Sequence, residues 1–155
     1  MTPVLLVLAW GNPSRGDDAL GPLFAERLQA SLGHRGDVEI LVDHQLQIEH
    51  ALDLVDRQRV LFVDASQSAT GPFEVTALQA RRDDSFTTHA LSPHALLQVH
   101  RQVHLGEAPD CTLLAIRGER FELGEAPGAA ALDHLEAALD WAQAWLGEPE
   151  RNGTA

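Results

Sequence analysis

A chain of 155 residues with 45% hydrophobic side chains has the size and apolar content of one domain with a sizeable core. Its 23 acidic against 11 basic residues leave a formal charge of -12, which repels a phosphate backbone and excludes nucleic acid as the expected partner. The longest apolar stretch, residues 3–10, is far short of the roughly 20 residues of a membrane helix, and no basic segment precedes it, so the expectation is a cytoplasmic monomer with no membrane contact.

In chain order, the continuous apolar run Val4-Leu5-Leu6-Val7-Leu8 predicts a first strand covered on both faces. The stripe of Leu20, Leu23, Phe24, Leu28 and Leu32 predicts a helix closed by Gly33. Val38-Glu39-Ile40-Leu41-Val42 predicts a second strand, and Ile48, Leu52 and Val55 a short helix after it. Val60-Leu61-Phe62-Val63 is again a continuous run, whereas Phe73-Glu74-Val75-Thr76-Ala77 alternates as a half-covered edge strand would. Ser92 and Pro93 read as N-cap and first residue of a helix continued by Leu96, Val99 and Val103. The lone Cys111 precedes another central strand, Leu113-Leu114-Ala115-Ile116, and reads as a buried, inert thiol that excludes an intrachain disulfide. Pro127 opens a last helix carrying Leu132, Leu135, Leu139, Ala142 and Leu146 until Gly147, with Trp141 and Trp145 widening its apolar face as core anchors.

The link over residues 66–72 is too short for a parallel crossover, so residues 73–80 are expected to run antiparallel to the third strand. The predicted architecture is therefore an α/β three-layer sandwich, a five-stranded mixed, mostly parallel sheet between helices. Residues 1–146 form a single domain in this reading and residues 147–155 a flexible C-terminal tail. Asp18 follows the first strand and Asp64 ends the third, at the carboxyl edge where open α/β folds bind ligands. Residues 81–90 can span about 30 Å when extended, enough for His89 to return to that edge.

Asp17 and Asp18 precede a helical stripe, so one of them serving as a cap is the plain alternative to a functional role. The segment Gly11-Asn12-Pro13-Ser14-Arg15-Gly16 lacks the Walker lysine and the three-glycine dinucleotide spacing. Asp64 ends an apolar strand and must be solvated in a cleft or paired. His89 is one of eight histidines, with His44, His50 and His94 also available. No Gly-x-Ser-x-Gly elbow and no paired Cys and His zinc spacing occurs. What remains is two carboxylates and an imidazole from three loops, a set that suits a first-row divalent metal with open positions.

Gly11-Asn12, Asp17-Asp18 with Gly21, Val63-Asp64-Ala65 and Thr88-His89 before a Leu-rich helix, in that order, resemble the nickel-iron hydrogenase maturation proteases. The likeness spans nearly the whole chain. It implies that Asp18, Asp64 and His89 are the metal ligands and catalytic residues, with nickel supplied by the substrate precursor. It further implies an endopeptidase that removes the C-terminal extension of a hydrogenase large-subunit precursor after nickel insertion. Two positions depart from the pattern. Ala19 stands where many relatives have Gly after the acids, and Asp43-His44-Gln45-Leu46 replaces a Gly-rich segment implicated in handling substrate, which leaves the hydrogenase served open. A different α/β metallohydrolase, or a non-catalytic nickel-delivery or scaffold protein, are the alternatives from other classes.

Overall fold

The computed structural model describes residues 2–80, 91–103 and 106–148. Its strands are β1 (Leu5–Trp10), β2 (Val38–Asp43), β3 (Arg59–Ser66), β4 (Phe73–Leu78) and β5 (Asp110–Arg117), in the order β2-β1-β3-β5-β4 across one sheet. All neighbouring pairs are parallel except β4 and β5. The helices are α1 (Leu20–Leu32), α2 (His50–Asp53), α3 (Pro93–Gln102) and α4 (Ala129–Leu146), and a single 3-10 turn, Gly16–Ala19, leads into α1. The mixed, mostly parallel sheet expected from the apolar runs is present, and β4 runs antiparallel as its short link requires. Its partner is β5 rather than β3, because β5 inserts between them.

The continuous runs became buried strands for the reason their composition suggests: both faces are covered. Leu5, Val7, Ala9, Leu61, Val63, Leu114 and Ile116 pack against α1 and α4 through Phe24, Leu28, Leu135 and Ala142. Leu6, Leu8, Trp10, Val60 and Phe62 pack on the other face against Leu46, Ala51, Leu54, Leu96 and Leu97. Each fully buried Leu or Phe contributes about 1.5–3 kcal/mol of transfer free energy, so these two layers dominate stability. Trp141 packs on Phe73 and Trp145 stacks under the Arg59 guanidinium, which confirms them as core anchors. Ser92 caps α3, its hydroxyl accepting the Ala95 N–H at 3.1 Å, with Pro93 at the first helical position.

Several boundaries and faces differ from expectation. α2 is one turn, and Ile48 and Leu52 are 55% and 64% exposed while His50, Ala51 and Leu54 are buried. Leu46 supplies the apolar anchor there, so the covered side of the segment is rotated from the predicted stripe. In α3 the buried set is Leu96, Leu97 and His100, and Val103 is exposed. α4 starts at Ala129 with Gly128 as its cap residue, two positions after Pro127. Of the predicted tail, residues 149–155 lie outside the described residues.

The start of α1 sits directly on the end of β1. A side chain at Gly21 would lie 2.1 Å from the Trp10 carbonyl oxygen, and one at Gly11 2.0 Å from that of Asp18. Only glycine allows this approach, which brings Asp18 to the end of the neighbouring strands.

Candidate active site

β1 and β3 are in register with Ala9 opposite Val63, so Trp10 and Asp64 are level at the carboxyl edge of the sheet. Both belong to the face shared by Phe62, against which the Trp10 ring packs edge-on with centroids 6.1 Å apart. The Asp64 carboxyl group takes hydrogen bonds from the Ala65 N–H and the Trp10 indole N–H. Burial raises its pKa first, and the nearby negative charge of Asp18 raises it further; the two donors only partly offset this, and the value is pushed up to about 7. Asp64 thus gains and loses its proton near neutrality. Among the described residues, the groups that set this value are two N–H donors and a second carboxylate.

Asp18 lies in the 3-10 turn, half-buried, and its Oδ2 accepts the Asn12 N–H at 2.8 Å. Asp17 does something different. It is 1% exposed, and its Oδ2 accepts the Glu119 and Arg120 N–H groups at 2.7 and 3.0 Å while Oδ1 accepts that of Gly128 at 2.8 Å. Burial opposes its ionisation, but these three donors and the Arg120 charge outweigh burial and lower its pKa below the ordinary value. Neither acid caps α1, whose N-terminal residue Ala19 makes no side-chain cap. Asp17 instead ties the segment after β5 to the Asp18 turn, beside a groove of about 460 Å3 lined by Gln67, Glu119, Arg120, Phe121, Glu122 and Glu125.

His89, the third ligand implied by the resemblance, lies outside the described residues. Among the described residues no group of three or more His, Cys, Asp or Glu side chains is arranged to hold a metal. Two of the three competing histidines are engaged elsewhere: the His50 Nε2 is 3.3 Å from Asp43 Oδ2, and the His94 Nδ1 is 2.9 Å from the Gln79 carbonyl oxygen. Burial, and then the Asp110 charge, push the Cys111 thiol up to about 12, so it is the inert group its sequence context suggested.

In the segment after β2, His44 and Gln45 are exposed, Asp43 is half-buried and Leu46 is 2% exposed within the core. Sequence reasoning missed Trp10, and named His50 only as an alternative to His89. Trp10 was visible only as the last residue of an apolar run, and nothing local marks it as a donor to a residue 54 positions away.

A donor set of two carboxylates that repel each other fits a divalent ion, which would relieve the repulsion and take oxygen ligands. No helix among the described residues is long and apolar enough to cross a membrane.

The chain has the α/β fold of the hydrogenase maturation proteases. Over 92% of its length it superposes on 91% of the hydrogenase maturating endopeptidase HybD from Escherichia coli, with 26% identity and a TM-score of 0.68. An endopeptidase from Escherichia coli solved in solution is 25% identical with a TM-score of 0.73, over 92% of this chain and 91% of that one. The [NiFe] hydrogenase maturation protease HycI from Thermococcus kodakarensis KOD1, at 22% identity and TM-score 0.68 over 90% of both chains, shares the fold. No protein-family model and no curated protein sequence matches the chain.

Proposed function

We propose that this chain is an endopeptidase that removes the short C-terminal extension of a nickel-iron hydrogenase large-subunit precursor after nickel insertion. The observation that carries this is the Asp18 and Asp64 pair: two mutually repelling carboxylates brought together at the carboxyl edge of a sheet shared with known maturation endopeptidases. The precursor is both substrate and carrier of nickel, and the soft thiolates that hold the ion tightly come from the precursor. Asp18 and Asp64, with His89 as the third group, would complete its coordination. A divalent ion held there would supply a Lewis acid able to polarise a scissile carbonyl and lower the pKa of a water molecule.

This chain's own residues prepare the site. Trp10 and the Ala65 N–H orient the Asp64 carboxyl group, and the Asn12 N–H holds Asp18 Oδ2. The edge-on pair of Trp10 and Phe62 covers the same face of the sheet as Asp64, whose burial raises its pKa to about 7. His44 and Gln45 contact the precursor, and Asp43 and Leu46 anchor the segment that carries them.

Mass spectrometry of a nickel-loaded large-subunit precursor before and after incubation tests this. The expected result is loss of the mass of the C-terminal extension, abolished when Asp18 is replaced by Asn. A precursor left intact by fully folded enzyme would overturn it.

A further inference from the structure

The ring of His50 is 9% exposed and both of its nitrogens are engaged. Nδ1 accepts the Gln47 backbone N–H at 2.8 Å, so Nδ1 carries no proton and the neutral ring is the Nε2–H tautomer. Nε2 lies 3.3 Å from Asp43 Oδ2, a close electrostatic contact. Asp43 is engaged at every oxygen: Oδ1 accepts the His44 N–H at 2.7 Å, and its carbonyl accepts the Gly11 N–H at 3.1 Å. Gly11 is followed by Asn12, whose N–H reaches Asp18. The contact between His50 and Asp43 is thus linked, through two backbone hydrogen bonds and the Gly11 turn, to the candidate catalytic acid. From the opposite side, Leu46 is sunk into the core. With Leu46 held below and Gln47 and Asp43 held by one imidazole, the exposed pair His44 and Gln45 is left as a short, rigidly mounted arc.

We infer that His50 is a positioning residue that sets precursor selectivity by fixing the shape of residues 43–47 and their attachment to the Asp18 turn. This rests on the processing activity proposed above, with His44 and Gln45 as the contact surface. Among the described residues the polar partners of the His50 ring are Gln47 and Asp43, and it acts through them. A neutral ring of one tautomer is required, because only an unprotonated Nδ1 can accept the Gln47 N–H.

Three variants separate its two contacts. His50→Phe removes both, His50→Asn offers an acceptor where Nδ1 stood, and His50→Gln offers a donor where Nε2 stood. Precursor cleavage is expected to show KM raised about tenfold in His50→Phe, the scale of one or two lost hydrogen bonds, with kcat within a factor of about three. His50→Asn is expected to restore most of that loss and His50→Gln part of it. Amide hydrogen exchange at Gln47 should accelerate in His50→Phe and return towards the native rate in His50→Asn. Long-range proton–nitrogen NMR of the wild-type ring should show the Nε2–H tautomer.

An Nδ1–H tautomer, or unchanged Gln47 exchange in all three variants, would overturn the clamp. Wild-type KM in folded variants that have lost Gln47 protection would overturn its link to selectivity. If the wild-type enzyme cleaves no precursor, the processing activity fails, and the tautomer and exchange measurements still decide the clamp.

Discussion

Asp17 and Asp18 are consecutive residues with separate duties. Asp17 turns its carboxylate to the backbone of Glu119, Arg120 and Gly128, while Asp18 is held by Asn12 and lies close enough to Asp64 to raise its pKa. One acid fastens the backbone behind the site and its neighbour is left facing Asp64. Asp17→Asn, expected from the resemblance alone to be mild because it leaves the metal ligand in place, becomes a stability variant.

Asp17→Asn puts an amide NH2 against at least one backbone donor in either rotamer. Loss of charge-assisted bonds to a buried group is expected to destabilise by about 2–3 kcal/mol, or roughly 4–12 °C in Tm for a chain of this size. The folded-state pKa of Asp17 is depressed, so its stabilisation is present above the ordinary carboxylate range and is lost as pH falls through the folded value. The gap between variant and wild type should therefore narrow in strong acid. Calorimetry at neutral and acidic pH checks this, and coincident melting curves at neutral pH would refute it.

Asp64 has the opposite sign. Its folded pKa of about 7 is raised, so the folded chain binds the proton more tightly than the unfolded chain. Its contribution is intact below the ordinary carboxylate range, about pH 4, and stability is lost as pH rises through about 7. Asp64→Asn should then raise stability by on the order of 1–2 kcal/mol at pH 8 and change little at pH 4, since the amide gives up one accepted hydrogen bond but removes the buried charge. Precursor cleavage should fall roughly 100-fold or more. A variant that melts lower than wild type at pH 8, or processes precursor normally, would make Asp64 a structural residue.

Divalent nickel offered to the isolated chain should bind weakly, because two carboxylates and an imidazole lack the thiolates that hold it tightly. Binding below pH 7 must displace the Asp64 proton, so affinity should rise with pH through that value. Titration calorimetry in buffers of different ionisation enthalpy reads the released proton directly. His89→Ala should weaken binding further. Purified enzyme is expected to carry little nickel, to cut nickel-loaded precursor and to spare the nickel-free polypeptide; equal cleavage of both would defeat the shared-metal mechanism.

Replacing His44-Gln45-Leu46 with Gly-Gly-Thr should alter precursor choice or turnover while leaving weak metal binding intact. The three positions are not equivalent. His44→Ala and Gln45→Ala, at exposed positions, should change turnover with stability shifts within about 0.5 kcal/mol. Leu46→Ala should cost about 2–4 kcal/mol through a cavity under α2 and α3. Single-variant kinetics and melting curves separate the contact surface from its anchor.

Much of the molecule was legible in the chain itself, because the controlling interactions are local or depend on composition alone. Continuous apolar runs at residues 4–8, 60–63 and 113–116 read as strands covered on both faces, the alternating run at residues 73–77 as a half-covered edge strand, and Ser92-Pro93 starts a helix by its own backbone chemistry. The carboxyl-edge position of Asp18 and Asp64 followed from strand direction. Tertiary structure alone decided the insertion of β5 between β3 and β4, the rotated covered side of α2, the opposite duties of Asp17 and Asp18, and the partners of Trp10 and His50. Those outcomes depend on which distant backbone arrives beside a side chain. Glu119 and Gly128 are more than 100 residues from Asp17, and no periodicity or spacing encodes a hydrogen bond across that separation.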